Sequence, residues 1–174
     1  MDELSGLDAS LLYSETAATP THTLKILVVQ IPSNGVASAH ARLREFVRER
    51  LPAFPLFHLR LASAPLSIGH PFWHLQELAD LDAHMEHCVL QPGETLAQRL
   101  AAFVTPRLPR DRPLWRLLVV EGLPQDRVAL AFKIHHALAD GIAAAHILTA
   151  LVGRDDAAPE VAAPEVAAPE VAAP

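Results

Sequence analysis

Over residues 1–153 the apolar positions switch between short continuous runs and helical spacing. Leu24 to Ile31 (LKILVVQI) is rich in β-branched residues and predicts a buried strand. Ser38 is placed to cap a helix running to about Leu51, with Ala39, Leu43, Phe46, Val47 and Leu51 along one face. Phe57 to Ala62 and the stretch around Phe72 to Leu75 alternate apolar with polar, predicting two short strands joined near Ser67-Ile68-Gly69. Pro92-Gly93-Glu94 predicts the start of a helix to about Val104. Trp115 to Glu121 and Arg127 to Ile134 predict a hairpin around Gly122-Leu123-Pro124-Gln125-Asp126, and Gly141 to Leu151 a closing helix. Strand pairs with interspersed helices imply an α/β (α+β) domain, a two-layer sandwich with a mixed β-sheet.

Residues 154–174 have a different texture. From Ala157 the pentapeptide Ala-Ala-Pro-Glu-Val repeats three times and begins a fourth copy. Proline at every fifth position prevents a continuous helix, and the segment offers no apolar face. The organisation expected is a domain over 1–153 and an extended linker or tail over 154–174.

Composition narrows the partners. The 174 residues include 51% hydrophobic types, enough for a sizeable core, and carry a net charge of −6. That balance argues against nucleic acid, which needs a basic face. A single cysteine, Cys88, cannot form an internal disulfide and suggests a reducing, cytoplasmic setting. Met1 to Asp8 holds three acids and no basic region of a signal peptide. No apolar run approaches the ~20 residues of a membrane span. Peripheral contact with a membrane or lipid droplet stays compatible with the sequence.

The candidate chemistry lies at the end of the last predicted strand, in Phe132-Lys133-Ile134-His135-His136-Ala137-Leu138-Ala139-Asp140-Gly141. An imidazole at a strand end is a natural general base for a hydroxyl. His136 is the candidate base. His135 should point the opposite way and serve packing or support. Asp140 is either the N-cap of the closing helix or the partner of an arginine, with Arg112, Arg116 and Arg127 as candidates. Gly141 suits a close backbone approach or an unusual φ. A metal site is the competing chemistry, since His135, His136 and Asp140 are ligand types and His84 and His87 sit three apart. Adjacent histidines on a strand diverge, and no H-E-x-x-H or cysteine pair completes a zinc site, so no metal is expected. There is no glycine-rich phosphate loop, and no G-x-S-x-G nucleophile elbow.

The spacing H-H-x-x-x-D-G resembles the signature of the CoA-dependent acyltransferase superfamily, whose folds are like that of chloramphenicol acetyltransferase. Two further segments are similar to bacterial wax ester synthase/diacylglycerol acyltransferases: Leu4-Ser5-Gly6-Leu7-Asp8-Ala9-Ser10-Leu11-Leu12-Tyr13-Ser14-Glu15-Thr16 with Pro20-Thr21-His22-Thr23 after it, and Arg112-Pro113-Leu114-Trp115. Order and spacing agree over residues 4–152. The resemblance implies transfer of a fatty acyl group from acyl-CoA, a co-substrate and not a resident cofactor, to diacylglycerol or a long-chain alcohol. It implies His136 as base, Asp140 and Gly141 as the structural end of the motif, and Pro113, Leu114 and Trp115 near the substrate. For Trp115, core packing is the plainer reading. Full members have two similar domains with the site between them, and this chain resembles the first. The resemblance therefore implies either the base-bearing half of an enzyme, or an inactive lipid- or partner-binding domain needing a separate C-terminal half or self-association.

Overall fold

A computed structural model describes residues 2–30, 38–63, 66, 68–76 and 80–153. The elements are β1 (Asp2–Glu3), α1 (Gly6–Ser14), β2 (His22–Gln30), α2 (Ala39–Arg50), β3 (Leu59–Ala62), β4 (Phe72–Leu75), β5 (Met85–Val89), α3 (Leu96–Val104), β6 (Trp115–Leu123), β7 (Arg127–His135) and α4 (Gly141–Val152). The Ala-Ala-Pro-Glu-Val stretch lies outside the described residues, as does Ser67 of the expected β3–β4 turn.

Two sheets organise the chain. A small one has the order β1-β4-β3, all antiparallel, and the main one the order β2-β7-β6-β5. In the main sheet β2, β7 and β6 are antiparallel neighbours, while β5 runs parallel to β6. A parallel pair needs a crossover between its strands, and α3 lies in that connection. The sheet is therefore mixed, as expected.

Alternation along β6 and β7 sends side chains to two different partners. Val128, Leu130, Phe132 and Ile134 join Leu117 and Val119 in the large core, together with Val47 of α2, Leu51 just after it, and Ala144, Ile147, Leu148 and Leu151 from α4. Ala129, Ala131, Leu118 and Val120 face the other way, against Phe103, Leu96 and Leu100 of α3. The alanines on that face leave room for the helix. The β6–β7 turn needs a left-handed backbone at Gly122 (φ 85°), Gln125 (64°) and Asp126 (52°). At Gly122 a Cβ would come within 3.1 Å of the Leu90 backbone nitrogen, so both conformation and space demand glycine there.

Caps set the helix starts. Ser38 and Asp140 cap α2 and α4 as expected. The helix expected from Pro92-Gly93-Glu94 instead begins at Leu96, because Thr95 and Gln98 form a reciprocal capping box. A second correction concerns β2. It is an edge strand with alternating exposure, Ile26 at 47% and Val28 at 44%, and not a buried one. Its apolar run reflects one face packed on the core and one left open, since α3 sits over the β6 side of the sheet.

Candidate active site

β7 delivers the histidine pair to the end of the sheet. His135 is its last residue, and the chain turns at once through His136, Ala137 and Leu138. The His136 N–H donates to the Thr21 carbonyl at 3.0 Å, which extends the β2–β7 ladder by one rung. The His135 N–H donates to the Leu114 carbonyl at 3.0 Å, so the backbone is held from both neighbouring strands. His136 is exposed, while His135, Ala137, Leu138 and Ala139 are buried. A single imidazole is thus presented from a backbone with little freedom.

His135 is turned inward among polar groups. Its Nδ1 faces the Ala137 N–H at 3.1 Å and so must accept, which puts the ring proton on Nε2. Nε2 lies 3.2 Å from Thr21 Oγ1, whose own proton goes to the Leu11 carbonyl at 2.8 Å. The network is consistent with one neutral tautomer only. Burial holds the His135 imidazole down to about 4, against the opposing pull of Glu15.

Glu15 is buried beside it, with Oε1 3.7 Å from His135 Nε2 and Oε2 3.1 Å from Arg110 Nη2. Arg110 also donates to the Leu12 carbonyl at 2.6 Å. Glu15, Arg107, Leu108, Pro109 and Arg110 line a cleft of about 360 Å³ that reaches this pair. On the same sheet face, Lys133 is buried and donates from Nζ to the carbonyls of Phe103 (3.1 Å) and Pro106, tying the end of α3 to the histidine strand. Burial brings its ammonium down to about 8. His22 stands opposite His135 in the β2–β7 register, its Nδ1 buried without a hydrogen-bond partner. Burial first, and then Lys133, lower its pKa.

Asp140 caps α4, its Oδ1 accepting from Ile142 N (2.9 Å) and Ala143 N (2.8 Å). The Ala143 N–H, the largest influence, and the Ile142 N–H hold its carboxyl below the usual range. The three candidate arginines lie elsewhere: Arg112 on Asp111, Arg116 on Glu86, Arg127 on the Pro124 carbonyl. Gly141 does not have a left-handed φ, and the nearest atom to an added Cβ would be Lys25 Nζ at 3.4 Å. The expected backbone constraint at Gly141 is therefore absent.

Pro113, Leu114 and Trp115 are buried, so in this chain the segment serves the core, the plainer reading for Trp115. Trp115 is 0% exposed, donates from Nε1 to the Phe57 carbonyl at 3.0 Å, and stacks on His84 with centroids 4.2 Å apart. Its segment supports the site through the Leu114 carbonyl. His84 and His87 diverge: the first is buried on Trp115, the second stacks on His40 and pairs with Glu121 at 3.2 Å. Among the described residues no three His, Cys, Asp or Glu side chains converge to hold a metal ion.

Residues 4–173 match the profile of the wax ester synthase/diacylglycerol acyltransferase catalytic domain. The chain belongs to the wax ester synthase/diacylglycerol acyltransferase family. A Mycobacterium tuberculosis H37Rv protein assigned as a diacylglycerol O-acyltransferase is 38% identical over 151 residues, covering 85% of this chain and 32% of its own length. A second from the same strain is 37% identical over 167 residues, covering 93% of this chain and 35% of itself. The solved wax ester synthase/diacylglycerol acyltransferase from Marinobacter aquaeolei VT8 superposes with a TM-score of 0.72 at 27% identity, covering 85% of this chain and 37% of that one. A four-domain nonribosomal peptide synthetase, at a TM-score of 0.68 and 17% identity, shares the fold. The chain spans about a third of the length of these curated relatives.

Sequence reasoning missed Glu15, Arg110, Lys133 and His22 as parts of the site. Glu15 and Thr21 lie in segments quoted for the family likeness, but no local signal ties them to a histidine more than a hundred positions away.

Proposed function

We propose that this chain is the base-bearing portion of an acyl-CoA-dependent O-acyltransferase that acylates diacylglycerol or a long-chain alcohol. The observation that carries the reading is the exposed imidazole of His136, on a backbone pinned to Thr21 and followed by the Asp140-capped helix. His136 would take the proton from the acceptor hydroxyl as its oxygen attacks the thioester carbonyl. Collapse of the tetrahedral adduct breaks the carbon–sulfur bond, and the imidazolium returns its proton to the departing CoA thiolate. The products are an ester and free CoA. Among the described residues no helix is long and apolar enough to cross a membrane.

A second reading rests on the chain's share of its relatives' length, 32% and 35%. Oxyanion stabilisation and substrate positioning supply much of an acyltransferase's rate. A portion bearing only the base would then act as a binding domain of the same fold that needs the rest of such an enzyme to complete the site.

The test is thiol release from palmitoyl-CoA with a diacylglycerol or hexadecanol acceptor, run on the 174-residue chain and on His136→Ala. Acceptor-dependent release lost in the variant supports the proposal. An equal rate in both proteins overturns His136 as base. No release from a folded wild-type chain favours the second reading.

A further inference from the structure

Resting on the reading of His136 as base, we propose that Glu15 and Arg110 are positioning residues for the histidine turn, acting through His135. The Glu15 carboxylate sits between a cation and an imidazole: one oxygen is 3.1 Å from Arg110 Nη2, the other 3.7 Å from His135 Nε2. Its side chain is 1% exposed, so solvent does little to compensate its charge. Arg110 supplies the compensating charge. His135 therefore has no need to take a second proton, and its Nδ1 lone pair stays available.

That lone pair has a definite task. It accepts the Ala137 N–H at 3.1 Å, the one side-chain bond in a turn whose backbone bonds run from the Leu138 N–H (2.9 Å) and Ala139 N–H (3.2 Å) to the His135 carbonyl. A proton on Nδ1 would set donor against donor and release Ala137. Thr21 binds the two halves together. Its Oγ1 meets His135 Nε2, its N–H donates to Glu15 Oε1 at 3.4 Å, and its carbonyl holds the His136 N–H. The charge state of the buried Glu15 carboxylate at the end of α1 and its half-exposed Arg110 partner is thus linked, through one ring and one threonine, to the backbone that presents the base. The charged and titratable groups bearing on His135 are Glu15 at the end of α1, Arg110 before β6, His22 on β2 and His136 beside it.

The arrangement predicts opposite effects from its two charges. Without Arg110, the Glu15 carboxylate would pair with a protonated His135. Without the Glu15 charge, His135 would resist protonation further.

The experiment is pH titration of the histidine ring nitrogens by NMR in the full 174-residue chain, with Ala137 amide exchange followed in the same samples. In wild type, His135 should show a protonated Nε2 and a bare Nδ1 well below neutral pH. Arg110→Met should raise the His135 midpoint by about 1 pH unit or more. Ala137 protection, taken relative to the intrinsic exchange rate at each pH, should drop at least about tenfold as pH falls through the new midpoint. Glu15→Gln should not raise the midpoint, and combining it with Arg110→Met should bring the midpoint back down. Should Arg110→Met not fold, Arg110→Gln, which keeps a donor for the Leu12 carbonyl, carries the same test. A midpoint unmoved in the arginine variant overturns the proposal, as does a moved midpoint that leaves Ala137 protection unchanged. Residues that served packing alone would lower stability without these opposed shifts. The ring spectra need no turnover. Their failure would remove the positioning role while leaving the His136→Ala assay intact, and an unchanged rate in His136→Ala would remove the catalytic reading while leaving this coupling in place.

Discussion

Acidification should destabilise this chain through His135, and the size of the effect follows from its surroundings. The imidazole titrates near 6.5 when unfolded and is held to about 4 in the fold, burial being the main cause. Between those values the unfolded chain binds the proton and the folded chain does not, so stability falls as pH drops through this window. The window spans about 2.5 pH units, and at about 1.4 kcal/mol per unit the full cost is about 3 kcal/mol. That is a large fraction of the 5–15 kcal/mol typical of a domain. His22, His40 and His84 are also lowered by burial and add to the same trend. A comparison is needed to isolate one ring. His135→Asn does not titrate, and its Oδ1 can still accept the Ala137 N–H. Urea unfolding of both proteins from pH 7 to pH 4 would give two stability curves. The other histidines contribute to both, so the difference between the curves should close by about 3 kcal/mol as the pH falls. A constant difference across that range would refute the assignment of His135 as a buried neutral ring.

Three further outcomes are expected. Asp140→Ala removes two cap bonds and should speed amide exchange at Ile142 and Ala143 roughly tenfold, while Asp140→Asn should change it little; equal damage from both would indicate a charge partner instead of a cap. Trp115→Ala should cost about 3–5 kcal/mol by chemical denaturation, and Trp115→Phe less, through loss of the bond to the Phe57 carbonyl; a cost under about 1 kcal/mol for the alanine variant would place Trp115 outside the core. Gly141→Ala should leave thermal stability unchanged or slightly raised, because its φ is ordinary and only the mobile end of Lys25 must shift; a marked loss would show a constraint on the motif glycine.

Much of the secondary structure was legible because its causes are local. Ser38 and Asp140 announce helix starts through side-chain oxygens that reach N–H groups two or three residues on. The β6–β7 hairpin is written in its apolar runs and in the turn from Gly122 to Asp126. α1 escaped notice because only Ala9 and Leu12 are buried, while Leu7 is exposed, so no apolar stripe marks it. β5 escaped because Met-Glu-His-Cys-Val is short and half polar.

What the sequence determined by itself is the β6–β7 hairpin, the capped starts of α2 and α4 and the placing of His136 where a strand ends and a capped helix follows, since period and capping depend on neighbours within a few positions. What only the tertiary structure decided is the set of groups each ring meets. Glu15 and Arg110 are 95 positions apart, and Thr21 and His135 are 114 apart. Trp115 is a core residue because Phe57 and His84 close over it, and β2 is half exposed because α3 does not cover the sheet's edge. Burial and long-range pairing are properties of the packed chain, and the protonation of His135 depends on both.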